Sequence, residues 1–143
     1  MLIPDVNVLV FAYRTGSHDH AGYHRRWEAI LNGTEPFVVP DVVSSGFVRI
    51  VTNSRIFPVP SPIGGALDFC RAFRGSPMFS RLNLDETQWN VFSALCRVPG
   101  VTGNVVPYAY LASIAIALDA ELLTADRGFA RFPGLRWRHP LDD

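Results

Sequence analysis

Apolar positions follow two rhythms along the chain, and the switches between them mark its elements. Leu2-Ile3 is a short apolar opening that predicts a buried strand, and the stretch from Asp5 or Val6 to Tyr13 reads as a helix. After a break at Gly16-Ser17, His18 to Leu31 predicts an amphipathic helix with Tyr23, Trp27, Ile30 and Leu31 on one face, stopped by Asn32-Gly33. Phe37-Val38-Val39 is a short buried strand. Pro40 opens a helix running through Val43, Phe47, Ile50 and Val51 to about Asn53. Pro58, Pro60 and Pro62 make the next stretch a loop. Ile63 to Phe73 predicts another helix, and Phe79 to Leu84 a strand. Asp85 caps a helix through Trp89, Phe92 and Leu95.

Thr102-Gly103-Asn104 is a turn. Val105 to Leu118 predicts a helix whose small residues, among them Ala109, Ala112, Ser113 and Ala115, suit close packing. Glu121 to Thr124 is a buried strand ending at Asp126, and Leu135 to Arg138 a last short strand. Strand and helix alternate throughout, with no repeat and no linker long enough to divide the chain. That pattern predicts one α/β domain over residues 1–143, with a mainly parallel sheet covered by helices on both faces. Ligands of such folds bind outside the carboxyl ends of the strands, where Asp5 and Asp126 each fall.

Composition narrows the class. A 48% hydrophobic content is ample for a core, and no apolar run is long enough to span a bilayer. The opening Met1-Leu2-Ile3-Pro4-Asp5 has no basic leader pattern, so the expected location is the cytoplasm, with no membrane. Cys70 and Cys96 sit among apolar neighbours and read as free thiols. Net charge is zero, so no global field points to nucleic acid. Every basic side chain apart from the histidines is Arg, however, and Arg pairs bidentately with phosphate. Neither GxGxxG nor a P-loop is present, which argues against a nucleotide-cofactor enzyme.

Asp5 and Asp126 each have two readings. Either can cap a helix. Together, two carboxylates at strand ends make a hard oxygen site suited to Mg²⁺ or Mn²⁺. Asn7 and Asn104 could orient such carboxylates, although Asn104 also suits a turn. Arg49 and Arg127 could contact RNA phosphate or pair with a site carboxylate, or stand solvated on the surface. His20 and His24 have the i, i+4 spacing of a metal pair but no third ligand in view, which favours a surface reading.

Ile3-Pro4-Asp5-Val6-Asn7-Val8-Leu9-Val10 resembles the opening motif of PIN domains, and specifically of VapC toxins. Three further stretches resemble one VapC branch: Ser45 to Asn53, Gly103-Asn104-Val105-Val106 with Leu111-Ala112, and Leu123 to Trp137. The resemblance covers essentially the whole chain. It implies a PIN-like three-layer α/β/α fold and a Mg²⁺-dependent endoribonuclease acting on structured RNA such as tRNA. It also implies a homodimer neutralised by a VapB-type antitoxin. Catalytic carboxylates would be Asp5, Asp126 and Asp41, with Asp5 and Asp126 on the metal.

The sequence departs from the family at three places. Tyr108 stands where an Asp is expected, Gly128 where a second Asp often follows Asp126, and Gly46 where many PIN domains carry Glu. Asp41, at the start of that helix, matches an acidic residue of the related branch, though it also suits a cap. A neutral phenol is a poor substitute for a carboxylate ligand. The alternative reading is therefore a catalytically weakened or inactive PIN domain that binds antitoxin or RNA. An antitoxin helix would be expected in an apolar groove lined by Phe47, Ile50 or Trp89.

Overall fold

A computed structural model describes residues 1–142. Its sheet is built around β1 (Leu2–Pro4), β2 (Glu121–Leu123) and β3 (Arg136–Arg138), paired in that order and all parallel. Two single-residue bridges widen it on the other side of β1, Leu2 to Phe37 and Phe37 to Phe79, again parallel. Across the sheet the order is therefore Phe79, Phe37, β1, β2, β3. The chain first steps outward in one direction from β1, then jumps back across it to β2.

The strands expected at residues 37–39 and 79–84 are shorter than the sequence predicts. Phe37 is held by four bonds: Leu2 N donates to Pro36 O, Val38 N to Leu2 O, Phe37 N to Met78 O and Ser80 N to Phe37 O. Pro36 and Pro40 bracket this segment, and neither has an N–H with which to extend a ladder.

Six helices cover the sheet: α1 (Val6–Tyr13), α2 (His20–Leu31), α3 (Asp41–Val51), α4 (Ile63–Arg74), α5 (Glu86–Leu95) and α6 (Val106–Ala117). Right-handed crossovers put α1 to α4 on one face and, after the jump, α5 and α6 on the other. Packing agrees: α1 lies on α2 and α3, α3 on α4, and α5 on α6, which itself lies on β2. The result is the three-layer α/β/α arrangement. Helix α2 starts two residues later than its apolar pattern suggests, because Asp19 before it adopts a left-handed conformation, φ 53°.

The core of the first face is aromatic. Trp27 meets Phe37 and Phe73 edge-on at 5.7 Å, and Phe47 lies 5.0 Å from Phe69. Trp27, Phe47 and Phe73 are fully buried. Phe47 therefore lines no groove, contrary to the expectation from sequence. Trp89 is exposed, and Ile50 is half-buried. On the other face α6 is apolar on nearly every side, and its buried Ser113 accepts from Gln88 Nε2 at 2.8 Å while donating to Tyr110 O. Cys70 is buried and Cys96 half-buried, both as free thiols. No helix among the described residues is long and apolar enough to cross a membrane.

Candidate active site

The strand order reverses between β1 and β2, and the crevice at their carboxyl ends is where an open parallel sheet receives a ligand. Pro4 pairs with Leu123, which sets the residues after each strand side by side. Asp5 N donates to Leu123 O at 2.9 Å and extends the pairing by one step. Asp5 then caps α1: its Oδ1 accepts from Val6 N at 2.7 Å.

Its other oxygen is held from two sides. Oδ2 accepts from Thr124 Oγ1 at 2.7 Å and from Asn7 Nδ2 at 2.8 Å. Thr124 is fully buried, and its hydroxyl also accepts from Asn7 Nδ2 at 3.2 Å and from Asp126 N at 3.0 Å. Asn7 closes the ring by accepting from Ala125 N at 3.2 Å. One hydroxyl and one amide thus tie the two strand ends together. Asn7, expected to orient a carboxylate, is placed in contact with Asp5. Thr124 escaped the sequence reading. Its only signal is a Thr two residues before Asp126, and that means little until the β1–β2 pairing is known.

Asp126 follows β2 and caps the 3₁₀ turn Arg127–Arg131. Its Oδ1 accepts from Gly128 N at 2.8 Å and its Oδ2 from Tyr108 Oη at 2.7 Å. Tyr108 comes from the first turn of α6, with Pro107 before it where a helix tolerates proline. Its ring lies 5.0 Å from that of Phe129. A Cβ at Gly128 would sit 3.4 Å from Tyr108 Cε1 and 3.0 Å from Asp126 Oδ1. The two departures from the family pattern therefore meet at one carboxylate: a Cβ at 128 would crowd Asp126 Oδ1, and the phenol at 108 bonds its Oδ2. At the third departure, a Cβ on Gly46 would come within 3.1 Å of Val6 Cγ2, so glycine there lets α3 approach α1.

Both carboxylates open on a cleft of about 240 Å³ whose walls include Val6, Gly46, Arg49, Tyr108 and Phe129. Asp5 is only 9% exposed. Burial pushes its carboxyl above the usual range, and the charge of Asp126 adds to this. The bonds from Thr124, Val6 and Asn7 pull it back. Tyr108 is also raised, first because its phenol proton is held by Asp126, then by burial and by both carboxylates, with Arg131 opposing. At neutral pH it is therefore a hydrogen-bond donor.

The structure does not bring every expected residue here. Asp41 is 94% exposed at the start of α3 and pairs with Arg74 Nη1 at 3.4 Å over a neighbouring recess. Arg127 lines a separate recess with Trp137 and His139, and Asn104 stands exposed on the turn Gly103–Val105. Arg49 does reach the cleft. His20 Nδ1 donates to Phe11 O at 2.8 Å, and its ring stacks on that of His24.

Among the described residues no group of three or more His, Cys, Asp or Glu is placed to hold a metal ion. The donors at the cleft are two carboxylates. A carboxylate oxygen can accept two bonds; Asp5 Oδ2 is saturated, while Asp5 Oδ1 and both oxygens of Asp126 each accept one. Mg²⁺ is commonly bound through one or two carboxylates while keeping several waters, so the donor set fits a lightly held ion of that kind.

No family model matches the chain. Ribonuclease VapC43 of Mycobacterium tuberculosis is 44% identical over 142 residues, 99% of this chain and 97% of that protein. Ribonuclease VapC31 of the same species is 35% identical over 141 residues, covering 98% and 99%. Among solved structures, the VapBC2 complex of Rickettsia felis bound to a DNA fragment from its promoter superimposes with a TM-score of 0.70. That match covers 96% of this chain and 97% of the other at 16% identity, and so speaks to the fold alone.

Proposed function

The chain belongs to the VapC ribonuclease family, and on that premise we propose that it is the toxin of a toxin–antitoxin pair that hydrolyses RNA phosphodiesters at the Asp5–Asp126 cleft. The observation that carries this reading is the pair of carboxylates set across the β1–β2 switch point by one shared network. Asp5 and Asp126 would hold Mg²⁺ or Mn²⁺. Such an ion, when bound, lowers the pKa of a coordinated water and offsets charge on the phosphate.

The chain's own groups have separate tasks. Thr124 and Asn7 fix the Asp5 carboxylate, so that it keeps its orientation when substrate arrives. Gly128 N and Tyr108 fix Asp126. Arg49, on the cleft wall, is placed to contact an RNA phosphate. Structured RNA such as tRNA is the proposed substrate, a VapB-type antitoxin the proposed partner, a homodimer the proposed assembly and the cytoplasm the proposed location.

A second reading has its own observation. The Tyr108 phenol occupies one lone pair of Asp126 where a carboxylate would have added charge. On this reading the domain binds antitoxin or RNA and cleaves weakly or not at all. One experiment separates the two. Cleavage of tRNA is followed on gels, with and without Mg²⁺, for the wild type, Asp5→Asn and Tyr108→Asp. The ribonuclease reading expects Mg²⁺-dependent cleavage by the wild type and none by Asp5→Asn. An inert wild type beside an active Tyr108→Asp would overturn it in favour of the binding module.

A further inference from the structure

Beside the cleft lies a second, larger recess of about 420 Å³, on the same edge of the sheet. Val39-Pro40 and Arg81-Leu82 border it, and these pairs follow the bridge residues Phe37 and Phe79. Val42, half exposed at 50%, stands on the rim of both spaces, so the recess continues the cleft rather than opening elsewhere. Its volume falls in the range of about 300–1,000 Å³ typical of small-ligand pockets.

The lining combines two chemistries. Arg74 and Arg81 supply guanidinium groups. Phe79 and Tyr110 supply aromatic surface. Arg74 already lies over the Phe79 ring, 5.2 Å from its centroid, and Tyr110 is braced edge-on by Phe92 at 5.5 Å. Planar cations and aromatic rings side by side are the usual means of holding an unstacked base and its phosphate. Asp41, which pairs with Arg74, is the opposing charge at the mouth.

We propose that this recess binds one unpaired ribonucleotide next to the phosphate held in the Asp5–Asp126 cleft, with its phosphate on Arg74 and Arg81 and its base against Phe79 and Tyr110. The inference rests on the ribonuclease reading and adds to it where the substrate strand runs. An acidic peptide could use the two guanidiniums, but it would leave the aromatic surface unused. Asp41 then has a role distinct from catalysis: its carboxylate competes with the incoming phosphate for Arg74.

The test is binding of a short fluorescein-labelled single-stranded oligoribonucleotide, followed by anisotropy in EDTA so that Mg²⁺-dependent cleavage is suppressed, across a salt series. Arg74→Ala with Arg81→Ala should weaken binding about ten-fold and flatten the dependence of log K on log salt by about 0.7 per lost contact. Tyr110→Ala should weaken it with the slope unchanged. Asp41→Asn should tighten it, a gain that misfolding cannot mimic. Unchanged affinity in all the variants, with the wild type binding RNA, would overturn the subsite and leave the ribonuclease reading intact. The subsite would equally fall if the arginine pair weakened binding of a labelled oligoglutamate peptide but not of RNA. A wild type that binds no RNA would overturn both.

Discussion

Asp5 and Asp126 stand at the ends of neighbouring parallel strands, yet their surroundings differ. Asp5 is buried, and its donors are Val6 and Asn7 from the first turn of α1 and Thr124 just after β2. Asp126 is half-buried, and one of its donors, Tyr108, is lent by α6 on the helical layer. Asp5 is thus part of what holds the sheet ends together, whereas Asp126 is an adjustable arm. The difference shows where variation can enter such a site. A change of residue at 108 or 128 alters the arm without touching the Thr124–Asn7 network, and two of the three departures from the family pattern fall there.

The contrast can be broken at its firm end first. Thr124→Val should remove the hydroxyl that joins Asp5 to Asp126 N and leave buried polar groups unpaired, costing about 1–3 kcal/mol in urea unfolding. An effect no larger than that of Asp126→Asn would show that the two arms are equivalent. At the adjustable end, Gly128→Ala should destabilise the wild type more than it does Tyr108→Ala, because the added Cβ would crowd Asp126 Oδ1 at 3.0 Å and the carboxylate can yield only when the phenol no longer holds its other oxygen. A double-mutant cycle should give a coupling of about 0.5–1 kcal/mol, and additivity would mean that residues 108 and 128 are independent.

The smallest effect is pH dependence. A carboxyl raised in the folded state favours folding at acid pH, and that contribution is lost as pH rises through its folded value. Without metal, the wild type should therefore gain thermal stability relative to Asp5→Asn as the pH is lowered from neutrality towards the usual carboxylate range. A constant difference in Tm between the two proteins would argue that burial does not strain Asp5.

Much of this was legible along the chain. The helices follow from apolar spacing and from caps such as Asp85, whose carboxylate accepts from Thr87 N and Gln88 N. The Asp5-Val6-Asn7 run pointed to its own role, because cap and orienting amide are two residues apart. Thr124 did not, since its hydroxyl reaches Asp5 only through a strand pairing across 119 residues. Asp41 misled for a related reason. A residue's position on a helix gives its direction from the axis but not the neighbour that awaits it, here Arg74 from another helix. The strand at 37–39 shrank because apolar content marks burial, whereas ladder length depends on N–H groups that Pro36 and Pro40 lack, and the one at 79–84 is left with Phe37 alone to pair with.

The pairing of Leu2–Pro4 with Glu121–Leu123 also has a consequence in time. A ribosome makes Asp5 well before Thr124 and Asp126, with all six described helices in between. Until then the first strand carries a carboxylate with neither its buried hydroxyl nor its partner acid. In a nascent chain the two carboxylates therefore stay apart by construction, and on the proposed reading the site comes together only once β2 has been made. Any partner that must restrain it has until that moment to arrive.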